Sequence, residues 1–276
     1  MQKQALEKTC YVVGGGAFGV FIRWLQLQVA FNDEGLPDAS AFNVLVPLAI
    51  LAAGIVFLVF IRRFRKEHYY FSSAFTAALR NDGLIYSAAR WFIGGLMCIG
   101  AILLFIRCET DKNVGFYRVL ALLALLSGAG FPLLLGEANQ EAEPRMTRVC
   151  VAHAAPMLLF AFWLVTCYKV NSINGVLWAY GVEVVACSVL LLAFFRVAGF
   201  AYSVPDGWSS LMLCMFGGFL AIVCLADERY MGMQLILLAS AMMMSYYTWV
   251  LIVNLKRRKV DPIAAAAREP GGFERL

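Results

Sequence analysis

Eight long apolar stretches, each close to the length of a membrane span, dominate this sequence. A window of about 19 residues predicts helices at Tyr11–Phe31, Phe42–Ile61, Leu84–Ile106, Phe116–Gly136, Val149–Tyr168, Gly175–Phe195, Ser209–Ala226 and Met231–Leu255. A helix rises about 1.5 Å per residue, so roughly 20 residues cross the ~30 Å hydrocarbon layer of a bilayer. The stretch Ser209–Ala226 is the shortest, and in a seven-span alternative it would be an interfacial or re-entrant segment.

The composition excludes an ordinary soluble domain. Of the 276 residues, 62% are hydrophobic and 15% are charged, and the mean hydropathy is +0.74. Soluble domains are about 45–50% apolar and about 25% charged, so this chain is expected to have lipid as its solvent. The net charge of +5 is therefore no sign of nucleic-acid binding. In a membrane protein the placement of Lys and Arg matters more than their sum.

Basic residues concentrate where an eight-span topology brings them to one side. One cluster follows the second span and consists of Arg62, Arg63, Arg65 and Lys66. The other follows the last span and consists of Lys256, Arg257, Arg258 and Lys259. An odd number of spans would separate the two clusters. By the positive-inside rule, we predict an all-α, polytopic bundle of about eight transmembrane helices with both termini in the cytoplasm.

The chain is predicted to form a single transmembrane domain, residues 1–259, followed by a disordered cytoplasmic tail, residues 260–276, in which Pro, Gly and mixed charges alternate. Residues 69–80 are amphipathic at helical spacing and predict a helix lying on the inner leaflet. The alternative is a helical extension packed on the cytoplasmic end of the bundle. The basic cluster at Arg62, Arg63, Arg65 and Lys66 is predicted to contact anionic lipid headgroups. Short loops and the absence of an N-x-S/T sequon favour a prokaryotic plasma membrane.

The first span carries a cation well inside its apolar run. One helical face holds Gly16, Gly19, Arg23 and Gln26, and small residues at this spacing predict contact with another helix. A cation near the bilayer centre costs about 2.5–3.5 kcal/mol on insertion scales and is usually paired or hydrated. Counted from the outer ends of their spans, Arg23 and Glu183 both lie roughly 12 Å deep, so we predict that they approach each other. With Gln26 they form either a ligand-binding or ion-binding pair or a structural ion pair.

A second polar level lies toward the inner ends of the spans and consists of Arg90, Glu137 and His153. His153 is a candidate for a proton relay, because histidine titrates near neutral pH. The alternative is that it is a packed, hydrogen-bonded histidine. Arg90 and Glu137 either join this cluster or extend to the lipid headgroups. Tyr246 and Tyr247 near the inner end of the last span fit an interfacial aromatic belt.

Sequence motifs give no support to an enzyme. The chain contains no H-E-x-x-H, G-x-S-x-G or Walker A sequence, and its 2 histidines are far apart. We therefore predict no metal and no cofactor. The favoured hypothesis is a transporter, or a transporter's membrane subunit, for a small polar solute or ion, resting on Arg23, Gln26 and Glu183. The alternative is a non-transporting sensor, scaffold or accessory subunit. The sequence predicts neither a protein partner nor an oligomeric state.

Overall fold

The computed structural model of the chain describes residues 1–31, 41–72, 74–139, 146–171 and 177–257. The helices in order are α1 (Gln2–Val29), α2 (Phe42–Lys66), α3 (Phe75–Leu79), α4 (Leu84–Arg107), α5 (Val114–Ala138), α6 (Met146–Asn171), α7 (Leu177–Ala198), α8 (Gly207–Val223) and α9 (Met231–Val253). Two short strands, β1 (Tyr69–Tyr70) and β2 (Lys256–Arg257), pair antiparallel with Tyr69 opposite Arg257. The predicted tail, residues 260–276, lies outside the described residues.

Eight of the helices in the described part are long and apolar enough to cross a membrane, and α3 is too short to do so. The all-α, multi-span prediction is therefore confirmed, while the cytoplasmic location of the termini stays a prediction. The main difference lies in α1, which begins at Gln2 instead of Tyr11. Gln, Lys, Ala, Leu and Glu are good helix formers. A hydropathy window overlooks them because it detects apolarity, not helicity.

Helix α9 lies at the centre of the bundle. It packs against α4, α8 and α1, and 72% of its span is buried, compared with 17% for α2 at the periphery. A helix surrounded in this way is apolar on all sides. Its position explains why Tyr247 is 1% exposed and Tyr246 is 8% exposed. The prediction that these tyrosines belong to an interfacial belt is wrong, because depth along a span does not determine which side of it faces lipid.

The end of the bundle at which α2 and α9 terminate is called the basic end, after the exposed side chains of Arg62, Arg63, Arg65 and Lys66 and of β2. Lipid contact by these four α2 residues stays a prediction. The neighbouring segment 69–80 is not a single helix, because β1 occupies its first two residues and α3 covers only Phe75–Leu79. Phe75, Ala78 and Leu79 are buried, and α3 packs against α5 and α9. The apolar face therefore contacts protein, as in the alternative of a helical extension packed on the bundle.

Side-chain amides hold this segment in place. Asn254 Nδ2 donates to the carbonyl oxygens of Ala78 at 2.9 Å and Arg80 at 2.8 Å. Asn139 Oδ1 accepts from the backbone N–H of Asn81 at 2.8 Å, and Asn139 Nδ2 donates to the Asn81 carbonyl at 3.0 Å. These bonds satisfy backbone groups in the last turn of α3 and in the residues that follow it. They hold the segment between α2 and α4 against the end of the bundle.

Helix α8 begins at an acidic cap whose removal should be measurable. The Asp206 carboxylate accepts from Ser209 Oγ at 2.6 Å and from the Ser209 backbone N–H at 3.2 Å. The hydroxyl bond is the main reason why the pKa of Asp206 lies below its usual value. We expect Asp206→Ala to lower the free energy of unfolding by about 1 kcal/mol at neutral pH. Thermal unfolding of the detergent-solubilised protein measures this change.

The pH dependence of the cap follows from the direction of that shift. A carboxylate whose folded-state pKa is depressed stabilises the fold above its unfolded pKa, and the stabilisation is lost as the pH falls through the folded value. The difference between the wild type and Asp206→Ala should therefore shrink in acid. Asp206→Asn is the matched control, because asparagine caps nearly as well as aspartate. If Asp206→Ala lowers the free energy of unfolding as much in acid as at neutral pH, the cap is not the cause of the loss.

Candidate functional site

Four charged side chains form a buried ion network that joins α1, α7 and the connection between α8 and α9. Its members are Arg23, Asp227, Arg229 and Glu183. Arg23 Nε lies 2.8 Å from Asp227 Oδ1, and Arg229 Nη2 lies 2.7 Å from Asp227 Oδ2. Arg229 Nη2 is also 3.1 Å from Glu183 Oε2. The charges alternate along the network and sum to zero, which is how charged groups are tolerated away from water.

Neutral side chains fix the α1 end of the network. Arg23 is 0% exposed, and its Nη1 donates to Gln26 Oε1 at 2.6 Å. Gln26 Nε2 donates in turn to Asn43 Oδ1 on α2 at 3.1 Å. Arg23 and Gln26 are one turn apart on the same helix face. Gln26 therefore orients the guanidinium and connects it to the peripheral helix α2.

The α7 end of the network is held by an indole. Trp163 Nε1 on α6 donates to Glu183 Oε1 at 2.7 Å, while Glu183 Oε2 faces Arg229. Arg229 Nη1 donates to the Cys224 carbonyl at 2.7 Å. Burial alone would lower the pKa of Arg229, but the carboxylates of Glu183 and Asp227 raise it above its usual value. The guanidinium therefore remains a fixed positive charge.

Asp227 and Arg229 reach the interior because α8 is short. Its 17 residues extend roughly 26 Å, which is less than the ~30 Å of hydrocarbon. A single 3₁₀ turn, Cys224–Ala226, follows, and the chain then enters α9 at Met231. Asp227 is accordingly only 7% exposed. Asp227 and Arg229 follow the predicted span Ser209–Ala226 directly, and the shortness of that span is the sequence signal that could have identified them as site residues.

The predicted approach of Arg23 and Glu183 takes a different form in the structure. Among the described residues, Arg23 forms its ion pair with Asp227, and Glu183 forms its ion pair with Arg229. Arg23 and Glu183 are thus the two ends of one network. A depth count compares residues on spans that run from edge to edge, so it cannot identify a counter-charge supplied by a connecting segment.

The predicted protein-facing side of α1 is confirmed. Gly16, Gly19, Arg23 and Gln26 are all buried. A Cβ added to Gly16 would lie 2.8 Å from Ile222 Cβ, and one added to Gly19 would lie 2.5 Å from Val223 Cγ2. The glycines therefore let α1 approach α8 closely, and this contact brings Arg23 within reach of Asp227.

A cavity of about 940 Å³ opens at the end of the bundle opposite the basic end. Glu183, Asp227 and Arg229 line it, and Asp227 connects the cavity wall to the fully buried Arg23. The other lining residues include the aromatic side chains of Trp24, Phe31, Tyr117, Trp163, Tyr180 and Tyr230. Apolar and aromatic walls with a few convergent charged groups are typical of small-molecule sites.

Tyr230 has a fixed position on the cavity wall. Its hydroxyl donates to Asp111 Oδ2 at 2.7 Å, and its ring packs edge-on against Tyr117 at 5.3 Å. The hydrogen bond to Asp111 is the main reason why the pKa of Tyr230 is raised to about 12. Tyr230 therefore remains a neutral hydrogen-bond donor over the physiological range.

Aromatic rings fill the core between this cavity and the basic end. The centroid distances are 5.9 Å for Trp163–Phe160, 5.7 Å for Phe160–Phe194, 6.4 Å for Phe194–Tyr247 and 5.7 Å for Tyr247–Phe131. Each of these five side chains is at most 4% exposed. We call them the aromatic column. The cavity ends on the first ring of this column, Trp163.

The second polar level does not form one cluster in the described contacts. His153 is 0% exposed, its Nδ1 lies 2.9 Å from the Val149 carbonyl, and its ring packs against Phe75 of α3 at 6.1 Å. Arg90 is 7% exposed on α4, which packs against α9, and its contact with lipid headgroups stays a prediction. Glu137 is half-buried near the end of α5. These contacts fit the packed-histidine alternative for His153.

Eight apolar helices around a buried ion network indicate a multi-pass helical membrane protein. Among the described residues, no group of three or more His, Cys, Asp and Glu side chains is placed to hold a metal ion. No protein-family model matches the chain, and neither the curated proteins nor the solved structures give a significant match. The functional conclusion therefore rests on the geometry of the site.

Proposed function

We propose that the protein binds a small polar solute or ion in the cavity beside the ion network, as the substrate site of a transporter or of a transporter's membrane subunit. The supporting observation is that this cavity of about 940 Å³ reaches the Glu183 carboxylate and the Arg229 guanidinium. Small-molecule sites commonly measure about 300–1,000 Å³. A carboxylate and a guanidinium on one wall offer an acceptor and a donor to a charged solute, and the aromatic walls offer favourable faces to a cation.

The basic end faces the cytoplasm in this proposal, in accordance with the positive-inside rule, and the membrane is a prokaryotic plasma membrane. The cavity then opens to the outside. In this proposal the aromatic column closes the route to the cytoplasm, and an outward-open transporter would have such an arrangement. Transport requires the rings of Phe160 and Phe194 to separate in a second conformation.

The second candidate is a non-transporting sensor, scaffold or accessory subunit. The observation in its favour is the aromatic column itself, whose rings are packed like a structural core. The ion network would then serve to fix the arrangement of α1, α7 and α9. Both candidates allow a ligand in the cavity, and only the first requires the ligand to cross.

Thermal unfolding of the full chain in detergent, with a panel of amino acids, organic cations, organic acids and inorganic ions, tests the proposal. A compound present at about 100 times its Kd stabilises the folded state by roughly 2.7 kcal/mol, which raises the unfolding midpoint by several degrees. Glu183→Gln should abolish most of that increase. Glu109→Gln is the matched control, because Glu109 carries the same charge on an exposed side chain 3.8 Å from Arg118.

Uptake measurements then separate the two candidates. Proteoliposomes should accumulate a stabilising compound if the protein is a transporter. Binding without uptake supports the sensor or accessory subunit. If no compound in the panel stabilises the wild type, or if Glu109→Gln abolishes stabilisation as fully as Glu183→Gln, the cavity is not the binding site.

A further inference from the structure

Three side chains with hydrogen-bond donors, Tyr86, Arg90 and Tyr246, lie on the neighbouring helices α4 and α9 toward the basic end. Tyr86 and Arg90 are four residues apart on α4 and share one face of that helix. Helix α4 packs against α9, which carries Tyr246. The Arg90 guanidinium and the Tyr86 phenol both lie close enough to the Tyr246 hydroxyl to interact with it electrostatically. Arginine has five N–H donors and no acceptor, and each phenol adds one O–H.

In the part of the chain that the structure describes, Arg90 lacks the counter-charge that Arg23 and Arg229 have. Its side chain is 7% exposed, and its Nε and Nη1 atoms are buried without a hydrogen-bond partner in the described part of the chain. Arg23 and Arg229, by contrast, each lie within 3.1 Å of a carboxylate oxygen. A buried guanidinium without an acceptor is strongly unfavourable. An anion beside Nε and Nη1 would supply both the missing acceptors and the counter-charge.

We propose that Arg90, Tyr86 and Tyr246 bind a phosphate group, either the phosphodiester of an anionic phospholipid or free phosphate. A guanidinium donates two parallel N–H bonds to a phosphate, and a phosphate has further oxygens that accept from the two phenols.

The depth of the site suits a headgroup. Arg90 is the seventh residue of α4 and lies roughly 9 Å from its first residue at 1.5 Å per residue. Leu84 and Ile85 at the start of α4 are 86% and 81% exposed, so the helix faces lipid immediately beside the site. A phosphate at the boundary of the hydrocarbon layer therefore lies within reach of the Arg90 side chain. The site is distinct from the exposed basic cluster on α2, whose side chains lie in the open.

Two titrations of the delipidated full chain in a neutral detergent test the proposal. Native mass spectrometry measures the binding of phosphatidylglycerol, and thermal unfolding measures stabilisation by inorganic phosphate. Arg90→Gln should weaken binding of the effective probe roughly ten-fold or more, the loss expected for charge-assisted hydrogen bonds. Arg107→Gln is the matched control, because it removes the same charge from an exposed residue at the other end of the same helix.

The two probes distinguish the source of the phosphate. A lipid site requires that Arg90→Gln weaken phosphatidylglycerol binding while inorganic phosphate has no effect on the wild type. A site for free phosphate requires that phosphate raise the midpoint of the wild type and not that of Arg90→Gln. Tyr246→Phe removes a single hydroxyl and should weaken the same probe a few-fold, which keeps the test valid if Arg90→Gln folds poorly. Equal binding by the wild type and both variants, or an equal loss in Arg107→Gln, would overturn the proposal.

Discussion

Arg229→Gln is expected to lower the free energy of unfolding by about 3–5 kcal/mol, the usual cost of removing one partner from a buried ion pair. Asp227 keeps Arg23 as its counter-charge, at 2.8 Å. Glu183, however, loses Arg229 and keeps neutral donors such as the Trp163 N–H, which carry no counter-charge. A carboxylate that is 8% exposed would then carry an unbalanced charge. Denaturant unfolding of the purified protein in mild detergent measures the loss.

The double variant Arg229→Gln, Glu183→Gln is the decisive control. It removes one charge of each sign, so the remaining pair, Arg23 and Asp227, is neutral. We expect it to recover most of the stability lost in Arg229→Gln, because a cation and its counter-ion are coupled when they share a buried pair. Arg118→Gln breaks an ion pair with exposed side chains and should cost less than about 1 kcal/mol. If Arg229→Gln costs no more than Arg118→Gln, the network does not hold the bundle together.

The same variants separate folding from binding. A double variant that unfolds like the wild type but is no longer stabilised by a solute would show that the charges serve the cavity. A double variant that keeps the solute response would show that the charges serve the bundle. The neutral sum of the network is compatible with either role, since alternating charges both fix helix positions and present polar groups to a ligand.

The number of spans and the buried face of α1 were predictable from sequence because both follow from local spacing. Apolar stretches of span length give the helices, and residues at positions 16, 19, 23 and 26 share a face of any straight helix. The partner of Arg23 was not predictable in the same way. Asp227 is assigned to a loop by hydropathy, and only the folded structure shows that this loop is buried and lies 2.8 Å from Arg23.

The sequence also does not determine whether an amphipathic segment or an aromatic residue near the end of a span contacts lipid or protein. The apolar side chains of α3 fit a lipid surface and a protein surface equally well, because the hydrophobic effect does not distinguish between them. The structure assigns Phe75 to a contact with His153. Tyr247 likewise fits a membrane interface by its position along the chain, but α9 is enclosed by other helices and its ring belongs to the aromatic column.

Gly94→Ala is expected to lower the free energy of unfolding by about 1–3 kcal/mol or more, the range for inserting atoms into a well-packed core. A Cβ on Gly94 would lie 2.5 Å from the carbonyl oxygen of Gly128 on α5 and 2.9 Å from Pro132 Cδ. The first contact is with backbone, so no rotamer change relieves it, and α4 and α5 must move apart. Unfolding in detergent measures the loss, and a lower yield of folded protein should accompany it.

Gly95→Ala is a control one residue away on the same helix. A Cβ on Gly95 meets nothing within 4 Å, and alanine has a higher helix propensity than glycine by up to about 1 kcal/mol. We expect this variant to be unchanged or slightly stabilised. An equal loss in both variants would mean that glycine is needed for the flexibility of α4 and not for its contact with α5.

Gly128→Ala tests whether the loss comes from the contact between α4 and α5 or from a property of α4 alone. Its added Cβ would lie 2.8 Å from both the Gly94 carbonyl oxygen and Cys98 Sγ, so it strains the same contact from the other helix. Once one alanine has pushed the helices apart, the second meets a gap that is already wider. The double variant should therefore lose less free energy of unfolding than the sum of the losses in Gly94→Ala and Gly128→Ala. Two independent helix defects would instead give additive losses.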